Sequence, residues 1–227
     1  MLKLDQDSAG NTVAMFPAMY REAAIVAGSL DEKQRTFDVL WTAGAEVPRM
    51  DWYTGQRFIE VLEVSDQAVR LDRLQSGRAP VLDSHSRWSL DNVIGVVEKG
   101  SVRIENGQGH AKVRLSARDD IAGIVSDIRD GIIANISPGY VTHAYREEMK
   151  ENTLYRIATD WEPMEISFVP VGADPDAGRR NATQTYPCKV IRAEPAIVAP
   201  DPAALARMRM RQFSIEPPMI RISTSGT

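Results

Sequence analysis

The chain has 227 residues, 43% hydrophobic and 26% charged, enough to bury a substantial core in one domain plus a tail. A net charge of −4 excludes a protein built mainly to neutralise nucleic-acid phosphates, and no apolar run is long enough for a membrane helix. The single cysteine, Cys188, excludes an internal disulfide and points to a reducing, cytosolic setting; the opening Met1-Leu2-Lys3-Leu4-Asp5 lacks the cationic-then-apolar pattern of a secretory signal.

Taken in chain order, the body reads mostly as strands. Thr36–Trp41 and Phe58–Val64 are the first two candidates. A weak amphipathic helix is predicted around Ser65–Leu74, with Ala68, Leu71 and Leu74 apolar. Val93–Glu98 and Ser101–Glu105 flank Lys99-Gly100, which predicts a hairpin. Ala111, Val113, Leu115 and Ala117 alternate with Lys112, Arg114 and Ser116, the period of two of a half-exposed strand. A second helix is expected over residues 118–130: Ile121, Ile124, Val125 and Ile128 form one stripe, Asp119 and Asp120 suit its positive end, and Gly131 suits its stop. Ile132–Ile136, Tyr155–Thr159 and Glu165–Val169 complete the strands. The fold class is therefore mainly β with a few helices (α+β), a barrel or a folded-over sheet.

The boundary is placed at residue 180, giving a body of residues 1–180 and a tail of residues 181–227. The tail holds six of the thirteen prolines and carries six Lys/Arg against three acids, so it is +3 while the body is −7. Proline removes backbone donors and stops regular elements, so the tail reads as a linker or arm. Within it, Ala203–Arg211 is a candidate short basic helix.

The chemistry-bearing residues are few. Ser137, His85 and Glu165 supply the types a nucleophilic site needs: a hydroxyl, a base with a pKa near neutrality, and a carboxylate to orient that base. Each also has an ordinary structural role open to it: a turn hydroxyl, a capping or core histidine, an exposed strand carboxylate. His143, six residues past Ser137, is the rival third member, and Glu162 is a second acid nearby. His110 starts the alternating strand and suits an exposed structural role. Cys188 has no local base. Three scattered histidines without ligand spacing argue against a metal, and no glycine-rich phosphate loop or dinucleotide fingerprint indicates a cofactor.

Several segments together resemble the prohead (head maturation) serine proteases of tailed phages, a group related to the herpesvirus assemblins. They are Arg49–Leu62; Pro80-Val81-Leu82-Asp83-Ser84-His85 with the following Ile94-Gly95-Val96-Val97; Asp130–Tyr140 around Ser137; and Glu165–Ala177. The resemblance spans residues 35–180. It implies a herpesvirus-protease-like β-barrel core flanked by helices. It implies a serine endopeptidase with Ser137 as nucleophile, His85 as base and Glu165 orienting it. Scaffold protein and major capsid protein would be the substrates, along with the chain itself, inside the prohead in the host cytoplasm. A homo-oligomer is compatible with it; nucleic acid and membrane partners are not expected. One departure stands out: Pro138 follows the serine and has no N–H to offer an oxyanion, so donors are expected around Gly172–Asp174. The alternative is a non-catalytic capsid-assembly or scaffolding protein on the same fold. An unrelated β-barrel binding domain is the third reading.

Overall fold

The computed structural model describes residues 29–51, 54–170 and 185–192, together with the short stretches 5–6, 12–17, 19–20 and 23–26. Its strands are β1 (Asp5–Gln6), β2 (Thr12–Pro17), β3 (Met19–Tyr20), β4 (Ala23–Ile25), β5 (Thr36–Thr42), β6 (Val47–Met50) and β7 (Arg57–Leu62). They continue with β8 (Pro80–Asp83), β9 (Val93–Val97), β10 (Arg103–Glu105), β11 (Gln108–Leu115), β12 (Asn135–Lys150), β13 (Thr153–Phe168) and β14 (Thr185–Arg192). Two α-helices are present among the described residues, α1 (Asp72–Gln75) and α2 (Ala122–Arg129). The fold is mainly β.

The organising element is the hairpin of β12 and β13, each sixteen residues long. Glu151 and Asn152 both take positive φ, the backbone of a mirror-image two-residue turn that suits the twist of the flanking strands. The hairpin serves as a rail for other strands. On β12 lie β14 (parallel), β3 and β4; on β13 lie β7 and β8, both parallel. Strands β8, β9, β11, β5 and β4 follow in order, each paired antiparallel to the next. The approach of β9 to β11 demands Gly95, since a Cβ there would lie 2.5 Å from the Arg114 carbonyl oxygen.

Strand β11 follows its predicted alternation, with Gly109, Ala111, Val113 and Leu115 buried. Other expectations need correction. Val93–Glu98 and Ser101–Glu105 do not form a hairpin: β9 pairs with β8 and β11, while β10 pairs with β11 across Asn106-Gly107. Both of those turn residues take positive φ, so the Asn-Gly pair outcompetes Lys99-Gly100 as the hairpin turn. The stretch 65–74 is helical only from Asp72; before it, the amides of Ala68 and Val69 close a turn on the Ser65 carbonyl. The second predicted helix begins as a 3₁₀ turn at Asp119–Ile121 and ends where Gly131 (φ 74°) leaves the helix.

Within the tail, residues 185–192 form β14, bonded to β2 and β12. Pro187 is tolerated because it pairs only with β2; the β12 pairing begins at Lys189. Burial of Cys188 and Val190 anchors the strand. The basic stretch 203–211 lies outside the described residues, as do Trp52, Tyr53 and residues 171–184.

The core contains Trp41 and Tyr140 against Trp161, and Phe37 against Phe168. Its unusual member is Glu60, which is fully buried. It accepts hydrogen bonds from Arg49 (3.2 Å), the Tyr140 hydroxyl (2.7 Å) and the Tyr145 hydroxyl. Burial, with Glu60 adding to it, pushes the Tyr145 phenol well above its usual pKa, so it stays a donor. Beside the cluster, Arg156 pairs with Glu147 (2.9 Å) and Asp51 (3.3 Å) and stacks over Phe58. A buried carboxylate is stable only with such partners, and breaking a buried ion pair costs about 3–5 kcal/mol. Glu60→Ala is therefore expected to lower the unfolding free energy in urea by about 3–5 kcal/mol; a loss below about 1 kcal/mol would show that the cluster is not a unit.

Candidate functional site

Three elements carry the candidate residues, and His85 and Glu165 meet. Ser137 lies inside β12, opposite Ser167 of β13, and Gly139 lies opposite Glu165. The pleat places Ser137, Ser167 and Glu165 on one face, while Ile136, Pro138, Ile166 and Phe168 take the other. Strand β8 runs parallel to β13, with Leu82 opposite Ser167 and Asp83 opposite Phe168, and so delivers His85 to that same end.

His85 sits in a strained turn. Ser84 (φ 49°) and His85 (φ 58°) are both left-handed, and the Ser86 amide donates to the Asp83 carbonyl at 2.9 Å. Non-glycine residues adopt this backbone at a cost of about 1 kcal/mol or more each, so neighbours must hold it. The Ser84 amide donates to the Phe168 carbonyl (2.8 Å) and the Ser84 hydroxyl to Asp83 (2.8 Å). The His85 amide donates to Ser167 Oγ (3.2 Å), and Ser167 Oγ donates to Glu165 Oε2 (2.6 Å). Glu165 Oε1 lies 2.7 Å from His85 Nδ1, which closes the ring.

Glu165 and Ser137 are each only 3% exposed, and the His85 side chain 17%. The rival His143 pairs elsewhere: its Nε2 is 3.5 Å from Glu162, at a bulge in β12 and without hydrogen-bond geometry. His110 is part-exposed at the start of β11. Cys188 is buried, and burial pushes its thiol up to about 12.

Pro138 fits its strand. It has no N–H, so its pair with Ile166 is the kind without ladder bonds. On its other edge β12 meets β4 at Asn135–Ile136 and β3 at Gly139–Tyr140, and Pro138 falls between them. The oxyanion donors expected at Gly172–Asp174 lie outside the described residues. Ser167 is the member that sequence reasoning missed; its only signal is its place two residues after Glu165, on the same strand face. No three His, Cys, Asp or Glu side chains among the described residues gather as a metal site would require.

A cleft of about 200 Å³ adjoins the site, lined by Asp83, Ser84, Ile94, Ile124, Ile132 and Phe168 among others. A second, of about 320 Å³, lies on the far side of Ile133 and Ala134 and is lined by Val26, Phe37, Ile128 and Arg129 among others.

No family model matches the chain, and no solved structure matches it. Among curated proteins it is 37% identical over 154 residues to a protein named major capsid protein of Halomonas phage phiHAP-1. The match takes in 66% of this chain and 24% of that protein, so the chain spans about a quarter of its relative's length. This finding overturns the resemblance to the prohead proteases, the expected endopeptidase activity, and the expectation that scaffold and capsid proteins are substrates. The relative is named for a shell component, not for an enzyme that cuts one. The protease-like core has no support from a solved structure.

Two outcomes follow from the geometry. Glu165→Ala removes an acceptor from both His85 and Ser167 and is expected to destabilise the protein by about 1–3 kcal/mol, with faster amide exchange concentrated in residues 84–92; unchanged exchange there would break the link between ring and turn. Raising a thiol from 9 to about 12 cuts its thiolate fraction roughly a thousandfold. Cys188 should therefore resist iodoacetamide in the native protein and react once it is unfolded in urea; rapid native labelling would contradict its burial.

Proposed function

We propose that the chain is a structural, non-catalytic component of a phage capsid. The observation that carries this reading is the 37% identity over 154 residues to a protein named major capsid protein. Its location is then the capsid, and its partners are other shell subunits, copies of itself included. The physical features agree. The His85–Glu165–Ser167 ring spends its hydrogen bonds on holding a strained turn against β13. A sheet interlocked through one long hairpin suits a part that must keep its shape under load.

His85 and Glu165, with Ser167, are read as one cluster with a positioning role: they fix the turn at Ser84–Ser86 to the hairpin, and Ser137 sits opposite Ser167 on the same face. The core is read as barrel-like, supported by the pairing of β12 with both β4 and β13, the two ends of the strand series running through β5, β11, β9 and β8.

Quantitative mass spectrometry of purified phage particles tests the reading. Peptides from this chain are expected in amounts comparable to the most abundant shell protein. Their absence from particles, with presence in the infected-cell lysate, would overturn it.

A further inference from the structure

The two clefts share Ile133 and Ala134 in their walls, and the neighbouring Ile132, 72% exposed, lines the smaller one. The loop 84–92 lends its two ends to the smaller cleft through Ser84 and, just beyond, Ile94. It displays Trp88 and Leu90, 72% and 83% exposed. That display is held rather than loose: Arg118 donates to the carbonyls of Leu90 (3.2 Å) and Asp91 (2.9 Å), and Asn92 donates to Ser86 (2.6 Å). Large apolar side chains displayed in water on a held loop that also gives Ser84 to the smaller cleft mark a docking surface.

Charge indicates the occupant. The segments framing the smaller cleft, residues 83–94 and 118–135, contain Asp83, Asp91, Asp119, Asp120, Asp127 and Asp130 against three arginines, a net of −3. A partner should therefore be basic as well as apolar. The chain itself contains such a stretch: Ala203–Arg211 has Arg207, Arg209 and Arg211, no acid, and Leu205, Met208 and Met210 between and before them. Methionine side chains adapt well to irregular clefts.

We infer that the smaller cleft, with Ile132 in its wall, binds the basic, apolar stretch 203–211 of a second copy of this chain. The inference rests on the capsid reading in one respect: it takes the partner to be another copy.

Sedimentation velocity of the full chain over a concentration series tests it. Reversible self-association is expected, weakened as salt rises from about 0.05 to about 0.5 M. Ile132→Asp, at an exposed site that leaves the core untouched, and the triple variant Arg207→Glu/Arg209→Glu/Arg211→Glu should each weaken it at least about tenfold. Mixing the two variants should restore association, because one retains an intact cleft and the other an intact basic stretch. A chain that stays monomeric to about 100 μM, or association indifferent to both variants, overturns the inference. Normal abundance in particles together with indifferent variants would sink this inference and leave the capsid reading standing. Variant-sensitive association of a protein absent from particles would do the reverse.

Discussion

The register between β12 and β13 is the constraint on which the rest of the molecule depends. Setting Ser137 opposite Ser167 and Gly139 opposite Glu165 decides which residues of each buried strand meet the apolar core and which form the polar face. A slip of one residue would exchange the two faces and place Glu165 among Phe37, Phe168 and Ile136. The register is secured at one end by the tight Glu151-Asn152 turn. Along its length, Trp161 meets Tyr140 and Trp41, and the phenols of Tyr140 and Tyr145 on β12 reach Glu60 on β7. A polar cluster can fix register because only one alignment satisfies all its members.

Given that register, the candidate site follows from geometry. Strand β8 lies parallel to β13 and ends beside Phe168, so the left-handed turn at Ser84-His85 has to fold back to bring His85 to Ser167 and Glu165. The ring made there looks like a device for activating a serine, since a carboxylate holds one nitrogen of an imidazole. The same bonds equally stabilise two consecutive left-handed residues that contain no glycine. The similarity to a protein named major capsid protein favours the structural account. The likeness to proteases rested on short segments that include β6, β7, β8 with its turn, β9, the start of β12 and the end of β13. Short matches of this kind indicate an activity only where their structural context supports it.

How much could be read from the chain depended on burial. Strand β11 has one wet face, so Ala111, Val113 and Leu115 announce it. Strand β12 is buried on both faces from Ile136 to Thr142, which erases alternation, and its bulges break the period further. Ser137 therefore reads as a strand end when it lies within a strand. Nothing in Ser84-His85 signals positive φ, because the turn is enforced by Phe168, Ser167 and Glu165 from a distant strand. Glu165 was legible as a partner for His85; Ser167 was not, since a strand serine has many ordinary uses. Pro187 hid β14 for a similar reason: proline opposes a strand on average, but not where only one neighbour is bonded.

On the capsid reading, the ring of His85, Glu165 and Ser167 holds shape and Ser137 does no covalent chemistry. The most direct test is intact-mass measurement of the full chain after incubation with a fluorophosphonate, with Ser137→Ala in parallel. The account predicts an unmodified chain of unchanged mass in both. A fluorophosphonate adduct or a self-cleaved product that disappears in Ser137→Ala would contradict it.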